Sequence, residues 1–243
     1  MSVLNQFDNR YCLIHHPAGI GDIFFLQTIA RKFISMGYEI VWPVRDKLLW
    51  LADYIPDIEF CSENGDFHHR ELYEMDAIYV TPDFAYLGIM RPHMWAIGDP
   101  RIMSSKYSVL NMDQETWKDG FIYRRNKEKE DELFYNVLGL KDDSEYVYVN
   151  RLYNTENFVT DKFDNMEFNY PVIENEIFDG FTPFDWCKVW ENAKEIHTTT
   201  TCINFILERL DSKAELYYYP HDEKNAEETM YMYSNPRITW KMP

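Results

Sequence analysis

The sequence predicts an α/β protein with parallel sheets covered by helices, divided into two halves. Apolar segments of strand length alternate along the chain with segments whose apolar residues recur roughly every three to four positions, as in helices with one buried face. Two of the predicted strands lead into a helix through a polar turn, one rich in glycine near residue 20 and one rich in threonine near residue 200. In α/β proteins such turns bind phosphorylated ligands.

Composition supports a large packed core and excludes several classes of partner. The 243 residues are 46% hydrophobic and 17% aromatic, and the formal net charge is −17. This charge repels nucleic acid and anionic lipid, so we expect no nucleic-acid partner. No apolar stretch is long enough for an integral membrane segment, and the four cysteines lack the spacing of a metal site. We therefore expect a cytoplasmic protein.

The N-terminal half begins with the clearest strand-turn-helix signal. Residues 11–16 predict a buried strand, and Gly19 and Gly21 predict the turn that follows it. The next helix is expected to end at Gly37. Its buried face is predicted from five apolar residues at helical spacing, Leu26, Ile29, Ala30, Phe33 and Ile34.

Further alternation completes the first half. A strand is predicted at 38–44, a helical stretch at 47–54, and short strands at 58–61 and 76–81. Residues 83–112 have a poorer pattern and contain two prolines and two glycines, so they are expected to form loops that line a site.

The second half begins with the longest helical candidate, residues 113–138, which is expected to break or bend near Gly120. A strand with alternating pattern is predicted at 145–150. Residues 182–193 open with a threonine, a proline and, two positions after the proline, an acid, which together predict a capped helix.

The last part of the chain predicts three strands separated by two helices. The strands are expected at 194–197, 214–219 and 238–240, and the helices at 203–210 and 222–233. The simplest division of the chain is therefore two α/β domains, 1–112 and 113–243.

Asp22 is the first candidate for chemistry. It follows the turn formed by Gly19 and Gly21, to which His16 is also close, and it precedes the first helix. A carboxylate there can serve as a general base, but an aspartate that only caps the helix explains the position equally well.

The second candidate site is the run Thr198, Thr199, Thr200 and Thr201 between a strand and a helix. Hydroxyls and backbone N–H groups converge on an anion at such a turn, although one threonine could be a helix cap and the others strand residues. Arg151 follows the strand at 145–150, where its guanidinium could pair with a diphosphate or form a surface salt bridge. A structural role for His197 is at least as well supported as a functional one.

No metal site is predicted. Two histidine pairs, His15 with His16 and His68 with His69, have no acid or cysteine at ligand spacing.

Two stretches of the chain resemble glycosyltransferases of the GT-B architecture, and they are most similar to the heptosyltransferase-like family. Residues 19–33 match the family's Gly-Asp motif and the helix after it. Residues 186–210 are similar to the donor-domain segment in which a helix, a strand, a hydroxyl-rich turn and another helix follow each other. The family's turn usually has Asp-Thr-Gly and then His, whereas this chain has threonine at 199–201 and then Asn204.

The resemblance implies two Rossmann-like domains facing a central cleft in the GT-B manner. Residues 1–112 would be the acceptor-side domain, and residues 113–243 would bind the nucleotide-sugar. The implied activity is that of a metal-independent, inverting glycosyltransferase, for hexosyl or heptosyl transfer, acting on a glycan or other hydroxyl acceptor. The nucleotide-sugar would be a co-substrate, and no cofactor is implied.

The resemblance also implies roles for individual residues. Asp22 would deprotonate the acceptor hydroxyl, near Gly19, Gly21 and His16. The donor diphosphate would be held by the hydroxyl-rich turn and the helix after it, through Thr198, Thr199, Thr200, Thr201 and Asn204. Arg151 is expected to join them because it follows the strand at 145–150.

Two other classes remain open. An NADP-binding oxidoreductase would use the same first turn, with Arg45 near a 2′-phosphate, but Phe24 stands where the dinucleotide motif has its third glycine. A non-catalytic protein that binds carbohydrate or nucleotide is the other alternative, because a fold does not determine a function.

Overall fold

A computed structural model describes most of the chain. The described residues are 10–16, 19–73, 75, 77–89, 102–153, 157–220, 232–233 and 240–241. The chain divides into two compact units, Met1–Arg124 and Arg125–Pro243. Each unit contains a sheet of mainly parallel strands, which confirms the predicted α/β class.

The first sheet is built around strand β1 (Arg10–His15), whose last four residues are buried. Strands β2 (Tyr38–Val44) and β3 (Ile58–Ser62) extend it on one side, and β5 (Phe84–Gly88) and β4 (Ile78–Val80) on the other. Neighbouring strands are parallel, apart from the antiparallel pair β4 and β5. Since the chain continues to both sides of β1, the carboxyl end of β1 is a topological switch point, where ligands bind in open α/β sheets.

Helix α1 (Ile20–Ser35) begins directly after this switch point and confirms the predicted helix. Gly37, just beyond its end, has a φ of +90°, a conformation that glycine adopts without steric cost. The predicted helical stretch at 47–54 is shorter, since it consists of a 3₁₀ turn at Asp46–Leu48 and helix α2 (Leu51–Tyr54).

The expectation of loops throughout 83–112 is wrong in two places. Strand β5 lies there and pairs directly with β1, and helix α3 (Ile102–Ser108) follows later. Ala85, Tyr86 and Leu87 of β5 are all buried. A strand covered on both faces lacks the alternating pattern by which strands are recognised in sequence. Residues 90–101 lie outside the described part of the chain.

The predicted long helix at 113–138 consists of separate short elements. Helix α4 (Trp117–Gly120) belongs to the first unit, and helix α5 (Lys127–Asp131) belongs to the second and continues into a π-helical turn at Glu132–Val137. The break near Gly120 was predicted, and it coincides with the end of α4.

Gly120 explains why the first unit continues beyond residue 112, where the sequence suggested the boundary. Its backbone N–H donates to Thr28 Oγ1 of α1 at 3.1 Å. A Cβ at Gly120 would lie 2.2 Å from that oxygen and 2.4 Å from Thr28 Cα. The backbones of α4 and α1 are therefore in a contact that only glycine permits.

The second sheet is parallel throughout its described strands. Its strands are β6 (Val147–Asn150), β9 (Val172–Glu174), β10 (Glu195–Thr199), β11 (Glu215–Tyr219) and β12 (Trp240–Lys241). The order is β12-β11-β10-β6-β9, with a separate small hairpin of β7 (Leu152–Tyr153) and β8 (Phe158–Val159). Because β9 and β10 lie on opposite sides of β6, the carboxyl ends of β6 and β10 form a second switch point.

The predicted capped helix lies before β10. Thr182 and Asp185 form a capping box around a 3₁₀ turn at Pro183–Trp186, which continues into helix α6 (Cys187–Asn192). Helix α7 (Ile203–Leu207) follows the threonine turn and has five residues.

The remaining predicted elements are covered only in part. Of the helix expected at 222–233, all but 232–233 lies outside the described residues, as do 238–239 of the last strand. Within the described residues, no helix combines the length and apolar character needed to span a membrane.

A partly buried network of one arginine and two glutamates stabilises the start of the second unit. Arg125 Nε donates to Glu130 Oε1 at 2.7 Å, and Arg125 Nη2 donates to Glu191 Oε2 at 2.8 Å. Glu130 of α5 is fully buried, and Glu191 belongs to α6. The guanidinium therefore links the two helices through paired hydrogen bonds.

We expect Gly120→Ala to lower the free energy of unfolding by about 1–3 kcal/mol, the usual cost of forcing extra volume into a packed contact. Urea denaturation measures the effect. Gly65→Ala is the matched control, because its Cβ would be 3.3 Å from the nearest atom, the Ser62 carbonyl oxygen. Equal stability of the two variants would contradict the tight contact between α4 and α1.

Candidate functional site

Asp22 lies in the first turn of α1, three residues after the N-cap position, which Gly19 occupies. Asp22 is therefore not the N-cap residue of α1, and capping does not explain its position. Gly19 has a φ of +86°, and a Cβ there would lie 2.3 Å from Asp22 Oδ2. The glycine thus permits both the turn and the return of the carboxylate over it.

Lys106 of α3 is the immediate partner of Asp22. Its Nζ donates to Asp22 Oδ1 at 2.5 Å and lies 2.7 Å from His16 Nε2 and 3.7 Å from Met103 Sδ. The side chain of Lys106 is 5% exposed, whereas that of Asp22 is 29% exposed. The cluster therefore has a buried cation and a carboxylate that solvent can reach.

The charges of this cluster follow from burial and from the lysine. Burial raises the pKa of the Asp22 carboxyl, but the charge of Lys106 and its hydrogen bond outweigh this effect and hold the pKa below its usual range. Burial and the same charge lower the pKa of His16 to about 3. His16 is therefore neutral near pH 7, and its Nε2 accepts from Lys106.

The tautomer of His16 follows from that hydrogen bond. If Nε2 accepts, Nδ1 carries the proton. Nδ1 is buried and has no hydrogen-bond partner among the described residues.

Sequence reasoning missed Lys106. It is the single charged residue in the segment 102–112, but no motif marks it, and that region was expected to form loops. Its position depends on the next residue, because the Tyr107 hydroxyl donates to the carbonyl oxygen of Phe25 and fixes α3 against α1.

In the second unit, Thr198 and Thr199 are the last residues of β10, which therefore extends two residues beyond the predicted strand. The Thr198 hydroxyl accepts from Asn150 Nδ2 at 3.3 Å and lies 3.0 Å from Asn204 Oδ1, to which it donates. Asn204 Nδ2 in turn donates to the Thr199 carbonyl oxygen at 3.0 Å. This buried network joins β6, β10 and α7 at the second switch point.

The other hydroxyls of the turn differ in accessibility. Thr199 Oγ1 is buried without a hydrogen-bond partner among the described residues. Thr200 and Thr201 are partly exposed, and Thr200 Oγ1 lies 2.6 Å from the Tyr218 hydroxyl. Since α7 is short, its aligned peptide dipoles are few, and a bound anion would depend more on the hydroxyls and backbone N–H groups.

Arg151 immediately follows β6 and is paired with acids. Its Nε donates to Glu174 Oε1 at 3.0 Å, and its Nη1 donates to Asp164 Oδ1 at 2.7 Å. The guanidinium carbon also lies 5.7 Å from the centroid of the Phe163 ring. A diphosphate that binds Arg151 would have to join or replace these carboxylates.

His197 has structural contacts on both ring nitrogens. Nδ1 lies 2.9 Å from the Tyr219 hydroxyl and Nε2 lies 2.9 Å from Glu195 Oε2. The ring stacks on Tyr217 at an interplanar angle of 6°. Both ring nitrogens and one face of the His197 ring thus have structural partners within the sheet.

Apart from Arg151, which pairs with Glu174 and Asp164, the predicted site residues fall into two clusters. Asp22 lies with Gly19 and His16 in the first unit, and Asn204 lies with the threonine turn in the second. Among the residues that the structure describes, no three His, Cys, Asp or Glu side chains are grouped so that they could hold a metal ion.

Comparison with known proteins supports the fold. No protein-family model matches the sequence, and no curated protein matches it. The crystal structure of a glycosyl transferase family 9 protein from Veillonella parvula DSM 2008 matches with a TM-score of 0.53 at 10% identity, over 98% of this chain and 88% of that chain. At this identity the likeness shows a shared α/β fold and nothing further.

Two structures of TibC match with lower TM-scores. The iron-containing dodecameric glycosyltransferase TibC from enterotoxigenic E. coli H10407 matches with a TM-score of 0.46 at 10% identity, over 88% of this chain and 59% of that chain. The dodecameric iron-containing heptosyltransferase TibC in complex with ADP-D-beta-D-heptose gives a TM-score of 0.46 at 11% identity, over 88% and 60%. At these TM-scores neither likeness supports a conclusion about this chain.

We expect the stability of the first unit to fall as the pH drops from about 6.5 towards 3, because the unfolded chain protonates His16 in that range and the folded chain does not. The loss at pH 5 is expected to be about 2 kcal/mol relative to pH 7. His16→Gln should remove most of it, because Gln does not titrate and still accepts from Lys106. Urea midpoints at the two pH values measure the difference.

The control for this pH dependence is His69→Gln, since His69 is more exposed, with 34% of its side chain accessible. It should retain the pH dependence of the unmodified protein. If His16→Gln loses as much stability on acidification as His69→Gln, the neutral buried His16 is disproved.

Proposed function

We propose that this protein is an inverting, metal-independent glycosyltransferase that moves a sugar from a nucleotide-sugar donor to a glycan or other hydroxyl acceptor. The observation that carries the proposal is the ionised, partly exposed Asp22 at the switch point of the first sheet. The fold shared with the family 9 glycosyl transferase supports it. The two units would be Rossmann-like domains facing a cleft, with the acceptor on the side of the first unit.

In this mechanism Asp22 accepts the proton of the acceptor hydroxyl. Its Oδ1 is held by Lys106, while the described residues provide no side-chain partner for Oδ2. The acceptor oxygen attacks the anomeric carbon as the bond from that carbon to the diphosphate oxygen breaks, which inverts the configuration. The proton moves to Oδ2, and the bonding electrons leave with the nucleoside diphosphate.

The low pKa of Asp22 is compatible with this role. The carboxylate is a weak base towards a free hydroxyl, but the acidity of that hydroxyl rises as its oxygen bonds to carbon. Transfer of the proton late in the reaction therefore needs a base that is ionised and correctly positioned, and it does not need a strong base.

The donor diphosphate would be bound by the second unit. Thr200 and Thr201 are the partly exposed residues of the turn, and Arg151 follows the strand that pairs with β10. The buried Thr198, Thr199 and Asn204 would hold the turn in shape. Each such donor to the leaving group typically contributes a few kcal/mol to the transition state.

We expect nucleoside diphosphates to raise the melting temperature more than NADP does. A thermal-shift screen with UDP, GDP, ADP, CMP and NADP measures this, since a ligand at 100 times its Kd stabilises by about 2.7 kcal/mol. In Arg151→Ala, affinity for the diphosphate should fall by about 1.5–3 kcal/mol, the range for hydrogen bonds to charged groups.

The control is Lys194→Ala. Lys194 is an exposed lysine that precedes β10 at the opposite, amino end of the strand, so diphosphate affinity should not change. Stabilisation by NADP alone would favour the oxidoreductase and reject the glycosyltransferase.

We expect Asp22→Asn to lower kcat by about 100-fold or more while donor affinity is retained, because general base catalysis typically contributes 10²–10⁴. Release of nucleoside diphosphate from the matching nucleotide-sugar, with acceptor present, measures turnover. Stability should also fall, because the buried ammonium of Lys106 loses its counter-charge.

Asp57→Asn is the matched control. Asp57 pairs with Arg31 at the surface of the same unit and has a positive φ of 64°, which asparagine tolerates. Its turnover should equal that of the unmodified protein. Full turnover in a folded Asp22→Asn variant would reject the proposed function.

A further inference from the structure

The Lys106 ammonium has as many acceptors as it has hydrogens. An ammonium carries three N–H groups, and Nζ of Lys106 has three neighbours that accept, namely Asp22 Oδ1 at 2.5 Å, His16 Nε2 at 2.7 Å and the weaker Met103 Sδ at 3.7 Å. Among the described residues, the two strong acceptors of this ammonium are thus the Asp22 carboxylate and the His16 ring. Its contacts therefore act on Asp22 rather than on a substrate.

The two oxygens of Asp22 are in different surroundings. Oδ1 accepts from Lys106, and Oδ2 lies beside Gly19 of the turn. The Asp22 side chain as a whole is 29% exposed. Rotation about the last bond of the side chain would exchange them, but it would also break the hydrogen bond to the buried cation. The lysine therefore selects one carboxylate oxygen for contact with a substrate.

We propose that Lys106 is the positioning residue of Asp22, holding Oδ1 of the ionised carboxylate so that Oδ2 receives the acceptor proton. This inference rests on the proposed function. His16 completes the arrangement, because as a neutral acceptor it satisfies the second N–H of Lys106 without adding a competing charge.

Few other charged or titratable groups act on this cluster among the described residues. Asp22 comes from α1 and Lys106 from α3, and His16 follows β1. His15, the last residue of β1, acts electrostatically on His16 and has its own contact, a 3.2 Å hydrogen bond between its Nδ1 and the Tyr86 hydroxyl. Removal of the lysine charge should therefore appear directly in the titration of Asp22.

The test is a carboxyl titration by NMR in protein labelled with ¹³C at aspartate Cγ. Asp22→Asn identifies the signal by its loss. In Lys106→Gln the midpoint of Asp22 should rise by about one pH unit or more, the usual effect of losing an adjacent opposite charge. Lys106→Arg should keep the low midpoint, and Lys32→Gln, at an exposed position in the last turn of α1, should not change it.

The pH dependence of turnover provides the second readout. In Lys106→Gln the acid limb of the kcat profile should shift to higher pH by the same amount as the titration midpoint of Asp22. In Lys106→Arg the acid limb should stay at the pH of the unmodified protein. A purely structural lysine would change the amount of folded protein without moving the acid limb.

Two results would overturn the inference. One is an unchanged Asp22 midpoint in folded Lys106→Gln. The other, measurable in the unmodified protein if that variant does not fold, is a His16 with its proton on Nε2 in long-range ¹⁵N–¹H spectra, since that nitrogen could not accept from Lys106. If the Asp22 midpoint is unshifted in Lys106→Gln and Asp22→Asn is inactive, only the role of Lys106 is rejected. If Asp22→Asn is fully active, the proposed function is rejected.

Discussion

Parallel pairing of the central strands is the constraint on which both clusters depend. Strand β1 is paired with parallel strands on both sides, and so is β6 in the second unit. Parallel pairing aligns carboxyl ends at one edge of a sheet, and the reversal of strand order opens a crevice there. Side chains that follow these strands are thereby grouped, although they come from distant parts of the sequence. Asp22, His16 and Lys106 meet at one such edge, and Asn150, Thr198 and Asn204 meet at the other.

What the sequence predicted well was local. Two features depend only on residues within a few positions of each other, so their patterns are visible in a single sequence. They are the succession of strand, glycine turn and helix from β1 to α1, and the capping box at Thr182. Strand β5 and Lys106 were missed because their surroundings are set by distant residues. β5 is recognisable as a strand only when β1 lies beside it, and Lys106 is distinctive only when α3 lies against α1.

The threonine turn shows a related limit. Four consecutive hydroxyls suggested four donors for a diphosphate, but packing uses them unequally. Thr198 belongs to a network with Asn150, 48 residues earlier, and Thr199 is buried, so the partly exposed residues of the turn are Thr200 and Thr201. The sequence identifies the turn, while the pairing of β6 with β10 decides which side chains face inward. That pairing is long-range and leaves no local signal.

The ion pair of Asp22 and Lys106 has opposing consequences for a base. A buried cation at hydrogen-bond distance lowers proton affinity, which slows early transfer, but it keeps the carboxylate ionised and fixes its orientation. An isolated carboxylate would be a stronger base with more rotational freedom. Because Asp22 remains partly exposed, water already offsets part of the desolvation that would raise its proton affinity. The main contribution of Lys106 is therefore to orient the Asp22 carboxylate. This orientation matters most in a reaction in which the acceptor proton is transferred late and to one oxygen.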